Sequence, residues 1–344
     1  MKFVAFTIKG LEEVAKKEIT SLLEAVDGVA LQVKAVHFNY TGSPSSLLNL
    51  KTVDDIGILL NEFNLVKGDD LVFDLATFDE VLKYIRSFRE IEKTFSITTS
   101  IVSQKIDKES SIAKLKELLE LEGYVYTQTD RSNLDVRIFV HDTSGFISLR
   151  LTKEPLGKRI YEKEGYLGAL KPSIAAAMVQ IATAGLSENI KVVDNFCGSG
   201  TILCESLLNN YKVYGGDINS MGVTLTKQRL RMLGSTQTEN IYLQDATKTK
   251  WSNDYFDCAI SNIPWDKQHE INNITAFYSA FVCEYARILK SKFSMCIICH
   301  KPELLVKHIK KAFGEVNIMQ YPIGYLGQTP TIVLVSSRAI ERTT

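Results

Sequence analysis

Apolar positions recur along this chain in two rhythms. In the first half, short runs switch between strand and helix periods. KFVAFTIK opens the chain as a β-rich run, and GLEEVAKKEITSLLEAV places Leu11, Val14, Ala15, Ile19, Leu22, Leu23 and Val26 on one helical face. VALQVKAVHFNY alternates like a half-buried strand, and TGSPSS marks a loop with a helix start. DEVLKYIRSF and KESSIAKLKELLELEG predict helices, whereas KTFSITTSIV, LDVRIFVHD and GFISLRLTK predict strands. Elements of this length in alternation predict a small α+β module, or two in tandem. Residues 154–170 mix Pro, Gly and charge without periodicity and read as a linker.

From residue 171 the rhythm becomes a regular β-α-β. Helix KPSIAAAMVQIATAG precedes strand IKVVDNF, loop CGSG and helix TILCESLLNN. Strand KVYGGDI, helix GVTLTKQRLRML and strands NIYLQDA and YFDCAISNI follow. Helix ITAFYSAFVCEYARILK, strand FSMCIICH and helix PELLVKHIKKAF come next, and β runs at YPIG and TPTIVLVSS end the pattern. Near-continuous apolar strands separated by helices predict a doubly wound parallel sheet with a mixed edge.

Composition narrows the class. With 344 residues, 45% hydrophobic and 23% charged, the chain has material for two or more packed domains. Its longest apolar runs fall well short of the ~18 residues that span a bilayer. The N-terminus turns acidic too early for a secretory signal, so a cytoplasmic protein is expected. All six cysteines fall in the second half, mostly inside apolar runs, as reduced core thiols do. Cys296, Cys299 and His300 match a C-x-x-C-H haem-attachment pattern, but they sit in a β-type run that reads as a core strand, and no metal site is expected. Residues 1–170 carry 22 Lys and Arg against 26 Asp and Glu (net −4), and residues 171–344 carry 18 against 14 (net +4). That asymmetry neither requires nor excludes a nucleic-acid partner.

Two clusters carry candidate chemistry. VVDNFCGSGT ends a strand and opens a helix, with Gly198 and Gly200 allowing a tight turn and close approach of a ligand. The next strand ends at Asp217, 23 residues after Asp194, where a carboxylate reaches a ribose diol, and the third ends at Asp245, 28 residues further, placed to meet an adenine amine. The loop lacks the third glycine of a dinucleotide site and the lysine of a P-loop. Asp-x-x-x-Gly-x-Gly with acids on the next two strands resembles the S-adenosylmethionine site of Rossmann-like methyltransferases.

The second cluster, SNIPWDKQ, follows the fourth strand and so falls at the same sheet edge. A base's exocyclic amine is a poor nucleophile because its lone pair is delocalised into the ring. Two acceptors on its N–H bonds favour the geometry that aims the lone pair at a methyl donor. The Asn262 oxygen and the backbone carbonyl beside Pro264 suit that role, proline contributes no N–H, and Trp265 suits stacking on an extruded base. Taken alone, the stretch reads equally well as a strand-ending Pro turn with a core tryptophan.

The tetrad Asn262-Ile263-Pro264-Trp265 resembles the [Asn/Asp]-x-Pro-aromatic motif of methyltransferases acting on planar amide or exocyclic nitrogens. DNFCGSGT with GGDI is similar to the form in THUMP-domain RNA guanine-N2 methyltransferases. KGLEEVAKKEI, LGKRIYEKEGYLGALKPSIAAAM and YPIGYLGQTPTIVLVSS resemble that family's N-terminal start, linker and last hairpin. The resemblance spans the chain and is diffuse over residues 60–155. It implies a ferredoxin-like domain over 1–60, a THUMP domain over 61–153, a linker over 154–170 and a Rossmann-like methyltransferase domain over 171–344. It also implies S-adenosylmethionine as cofactor and the tRNA acceptor stem as substrate, giving 2-methylguanosine at a position-6-like guanine.

Carried over residue by residue, Asp194, Cys197, Gly198 and Gly200 cradle the cofactor, Asp217 holds the ribose and Asp245 faces the adenine. Phe196, Thr201, Ile218, Ala246 and Asn262 complete that set, and Asn262, Pro264 and Trp265 hold the guanine. Many bacterial and archaeal members have Pro and Gly where this chain has Ile263 and Asp266. Some eukaryotic relatives need a small zinc-containing activator subunit, a partner left open here. The same tetrad serves rRNA guanine, DNA adenine N6 and protein glutamine amides, and a decayed RNA-binding protein is a further alternative.

Overall fold

A computed structural model describes residues 1–64, 76–102, 107–128, 133–162, 168–264 and 273–337. The chain divides into two compact units, Met1–Thr7 with Ala15–Leu156, and Ile8–Val14 with Gly157–Thr344. Among the described residues no helix is long and apolar enough to cross a membrane.

The first unit is built on strands β1 (Lys2–Phe6), β2 (Val26–Gln32), β3 (Ala35–Tyr40), β4 (Asp55–Asn64), β5 (Thr94–Val102), β6 (Val125–Tyr126), β7 (Leu134–His141) and β8 (Ser144–Arg150). Helices α1 (Glu12–Leu22), α2 (Pro44–Leu47), α3 (Phe78–Arg86) and α4 (Lys108–Leu121) accompany them. The strands form one eight-stranded sheet in the order β2-β3-β1-β4-β8-β7-β5-β6. VALQVKAVHFNY is two strands, not one: β2 turns back on β3 with Gln32 opposite Ala35, and Lys34 takes φ 63° at the turn. Leu22 is 47% exposed, so the apolar face of α1 is narrower than its spacing predicts.

The second unit contains α5 (Pro172–Thr183), β9 (Lys191–Asp194), α6 (Thr201–Leu207), β10 (Lys212–Asp217), α7 (Ser220–Met232), β11 (Ile241–Leu243) and β12 (Phe256–Asn262). It continues with α8 (Ile274–Ile288), β13 (Leu289–Cys299), α9 (Pro302–Phe313), β14 (Asn317–Pro322) and β15 (Thr331–Ser336). The sheet order is β11-β10-β9-β12-β13-β15-β14, with β15 antiparallel to both neighbours and the other pairings parallel. This is the doubly wound, seven-stranded arrangement the apolar pattern predicts. The chain winds outward from β9 to β11 and returns to β12 on the other side of β9. The two strands therefore part at their C-terminal ends and leave a crevice there. Cys296 and Cys299 lie buried in β13 as core residues, and burial pushes the Cys299 thiol up to about 12.

Candidate active site

The crevice beyond β9 and β12 opens into a cavity of about 560 Å3. The β9 end contributes Asp194, Phe196, Cys197, Gly198 and Thr201 to its lining. Asp217 and Ile218 come from the β10 end, Asp245 and Ala246 from beyond β11, and Asn262 and Pro264 from the β12 end. Thus the sequence-singled residues converge, with two qualifications. Gly200 stands behind the lining as the residue that precedes α6. Trp265 and Asp266 lie outside the described residues.

Asp194 ends β9 and is 1% exposed. Its Oδ1 accepts from Ser261 Oγ at 2.6 Å and from the Phe196 N–H at 3.0 Å. Burial pushes this carboxyl up to about 7, against the pull of those two hydrogen bonds, and the nearby Asp217 adds to the rise. Ser261 Oγ is also 2.7 Å from the Tyr285 hydroxyl, which accepts from the Asn195 N–H at 3.3 Å. A buried relay therefore joins β9, β12 and α8 immediately before Asn262.

The loop after β9 is held from behind. Gly198 and Gly200 take φ of 48° and 84°, a region costly for residues bearing a Cβ. A Cβ at Gly200 would stand 2.8 Å from Thr226 Oγ1. Thr226 Oγ1 donates to the Gly198 carbonyl at 2.7 Å, and the Gly198 N–H donates to Asp217 Oδ2 at 2.7 Å. Asp217 Oδ1 accepts from the Asn219 N–H at 2.8 Å, so this carboxylate braces two turns as well as lining the cavity. Asp245 Oδ1 accepts from the Thr247 N–H and hydroxyl at 2.8 and 2.7 Å. Phe196 packs edge-on against Phe277 and Phe281 of α8, and Phe277 also lines the cavity. Burial raises the Cys197 thiol well above its ordinary value, which keeps it protonated and poorly nucleophilic.

Across the crevice, Asn262 Nδ2 donates to the Gly168 carbonyl at 3.3 Å. Its Oδ1 is buried and has no hydrogen-bond partner among the described residues. Gly168, Ala169 and Leu170 all line the cavity, yet sequence reading assigned them to a linker because Pro, Gly and charge hide their role. Ser261 and Tyr285 were missed as well, since a serine and a tyrosine in apolar runs carry no motif. Their one signal is polarity inside otherwise buried elements.

These residues suit a ligand with a cationic end and a flat apolar end. Asp194 offers a buried carboxyl to a cation. Ile218, 78% exposed at the cavity, offers an apolar surface for a ring to cover. S-adenosylmethionine has both features, in its sulfonium and amine and in its adenine.

Comparison with known proteins agrees. Residues 159–329 match the family described as RMKL-like, methyltransferase domain. The chain is similar to TrmN from Thermus thermophilus, with a TM-score of 0.77 and 19% identity over 97% of this chain and 99% of that one. It is similar to SMU.472 complexed with SAH (TM-score 0.68, 17% identity, 99% of each chain). A predicted N6-adenine-specific DNA methylase from Listeria monocytogenes gives a TM-score of 0.69 at 16% identity, over 96% of this chain and 95% of that one. At such identities the structural likenesses establish a shared fold. The family match adds the chemistry: residues 159–329 place this chain among the RMKL-like methyltransferase domains, with S-adenosylmethionine as cofactor.

Proposed function

We propose that this chain methylates the exocyclic N2 amine of a guanine in structured RNA, with the tRNA acceptor stem as substrate. The observation that carries this reading is the amide of Asn262. Its Nδ2 is tied to the Gly168 carbonyl, which turns Oδ1 into a buried acceptor without a partner among the described residues. Leaving such an atom unpaired costs about 1–3 kcal/mol, which a substrate amine would recover. Pro264 adds no donor beside it, so the Ile263 carbonyl serves as the second acceptor. Trp265 is assigned to stack on the guanine. Positioning of this kind requires no nucleophilic side chain.

The cofactor, when bound, supplies a methyl group on a cationic sulfonium. Asp194 then faces the methionine cation, Asp217 the ribose and Asp245 the adenine, with Phe196, Cys197, Gly198, Gly200 and Thr201 forming the cradle and Ile218 and Ala246 flanking the ring. The substrate class rests on the first half of the chain, proposed as the ferredoxin-like (1–60) and THUMP (61–153) regions that hold RNA in the cytoplasm. Whole-length fold similarity to TrmN supports that two-part plan.

Asn262 and Pro264 by themselves suit adenine N6 equally, and the name of the Listeria relative points that way. Incubation with labelled cofactor and unmodified tRNA, followed by nucleoside analysis, separates the readings. The expected product is 2-methylguanosine. Label in N6-methyladenine or in a glutamine amide, with none in tRNA guanine, would overturn the proposal.

A further inference from the structure

Behind the cofactor loop lies a buried polar cluster that reaches the cavity lining at Cys197, Ser199 and Thr201. Glu205, in the second turn of α6, is fully buried. Its Oε1 accepts from Arg159 Nε at 2.9 Å and from the Tyr161 hydroxyl at 2.5 Å, and its Oε2 has no partner among the described residues. Tyr161 is 1% exposed and packs with Cys197, Leu203 and Cys204. The Arg229 guanidinium lies 5.9 Å from the Tyr161 ring and donates to Ser199 Oγ at 3.0 Å and Thr201 Oγ1 at 3.3 Å. Ser199 of the loop, Thr201 and Glu205 of α6, Arg229 of α7, and Arg159 and Tyr161 thus converge on one spot.

We infer that Arg159 and Tyr161 are positioning residues for the cofactor loop. Glu205 stands four residues after Thr201, hence on the same face of α6. A carboxylate buried at that depth is tolerated only where its charge is met by strong partners. Arg159 and Tyr161 meet it, and in doing so fix the rotation and axial position of α6. The N-terminal end of that helix is the loop of Gly198, Ser199 and Gly200. Tyr161 acts a second time by backing Arg229, which holds the hydroxyls of Ser199 and Thr201. The family match itself begins at Arg159, consistent with these residues belonging to the methyltransferase domain.

This inference rests on the cofactor assignment and not on the guanine reading, so the test uses cofactor binding alone. S-adenosylhomocysteine is titrated calorimetrically into the parent chain, Tyr161→Phe, Arg159→Gln, Arg159→Lys and a core control, Ile309→Val in α9, well below each melting temperature. Tyr161→Phe and Arg159→Gln are expected to weaken binding about tenfold each, with Arg159→Lys recovering part of the loss. Ile309→Val is expected to melt earlier and to bind like the parent. In turnover assays the cofactor KM rises in Tyr161→Phe while kcat stays within about twofold. Should Arg159→Gln fail to fold, Tyr161→Phe removes one oxygen, keeps the ring and decides alone. Parent-like affinity in Tyr161→Phe, accompanied only by a lower melting temperature, overturns the inference. A parent chain that binds no S-adenosylhomocysteine overturns it together with the cofactor assignment, whereas failure of the guanine reading leaves it intact.

Discussion

Ser261 Oγ stands 2.6 Å from Asp194 Oδ1, a buried hydrogen bond that joins the ends of β12 and β9 one residue before Asn262. It links the residue proposed to face the methyl donor with the strand that carries the proposed substrate clamp. Removing it in Ser261→Ala takes a donor from Asp194 and an acceptor or donor from Tyr285. The carboxyl of Asp194 then rises further, because this hydrogen bond is the largest force opposing its burial. Cofactor binding is expected to weaken about tenfold at pH 7 and to recover at higher pH. Calorimetry across the pH range checks this, and a loss of equal size at every pH would count against it.

In the parent chain the same carboxyl gives a pH dependence with a defined sign. Asp194 titrates at about 7 in the fold and ordinarily at 3.8. Between those values the native state keeps a proton that the unfolded chain has released. Its contribution to stability is therefore full below about pH 4 and is lost as pH rises through about 7. A cation bound beside it draws the value down, so the cofactor binds more tightly as pH rises and displaces a proton. Titrations at about pH 6 in buffers of different ionisation heat are expected to show release approaching one proton per cofactor. An affinity flat from about pH 6 to 8 would rule out a cation beside Asp194.

Asn262→Ala tests the substrate side. Its amide meets Gly168 and leaves Oδ1 for the proposed substrate amine, so turnover is expected to fall by about 100-fold or more while cofactor affinity shifts less than about threefold. Single-turnover rates and S-adenosylhomocysteine titrations measure the two separately. Loss of cofactor binding with retained turnover at saturation would assign Asn262 to the cofactor instead.

Gly200→Ala tests the loop. The methyl meets Thr226 Oγ1 at 2.8 Å in a backbone region of φ 84°. The expected cost is about 2–4 kcal/mol, combining left-handed strain with overpacking, together with a marked loss of cofactor affinity. Denaturant melts and calorimetry report it, and parent-like values in both would show that the loop relaxes freely.

The second unit was legible because its signals are local. Apolar strands with acids at their ends, glycines at a turn, and Asn262 with Pro264 are each contained in a few residues, and a parallel sheet brings all strand ends to one edge. The first unit was less so. β4 escaped notice because its first six residues are all buried, one of them Asp55. That aspartate is met by Arg150 Nε at 2.7 Å and Arg137 Nη2 at 2.9 Å, from strands more than 80 residues away. The turn between β2 and β3 has no Gly or Pro, so its reversal at Val33 and Lys34 left the alternation looking continuous.

By itself the sequence determined the class of fold, the sheet edge at which the candidate site lies and the residue types assembled there. Tertiary structure decided which atoms meet: Asn262 with Gly168 across 94 residues, Ser261 with Asp194 across 67, and Arg159 with Glu205 across 46. A hydrogen bond between distant segments leaves no period in either one, since a serine, glycine or arginine is compatible with many partners. Only closure of the sheet around β9 and β12 selects among them, and that selection gives Asn262 a direction.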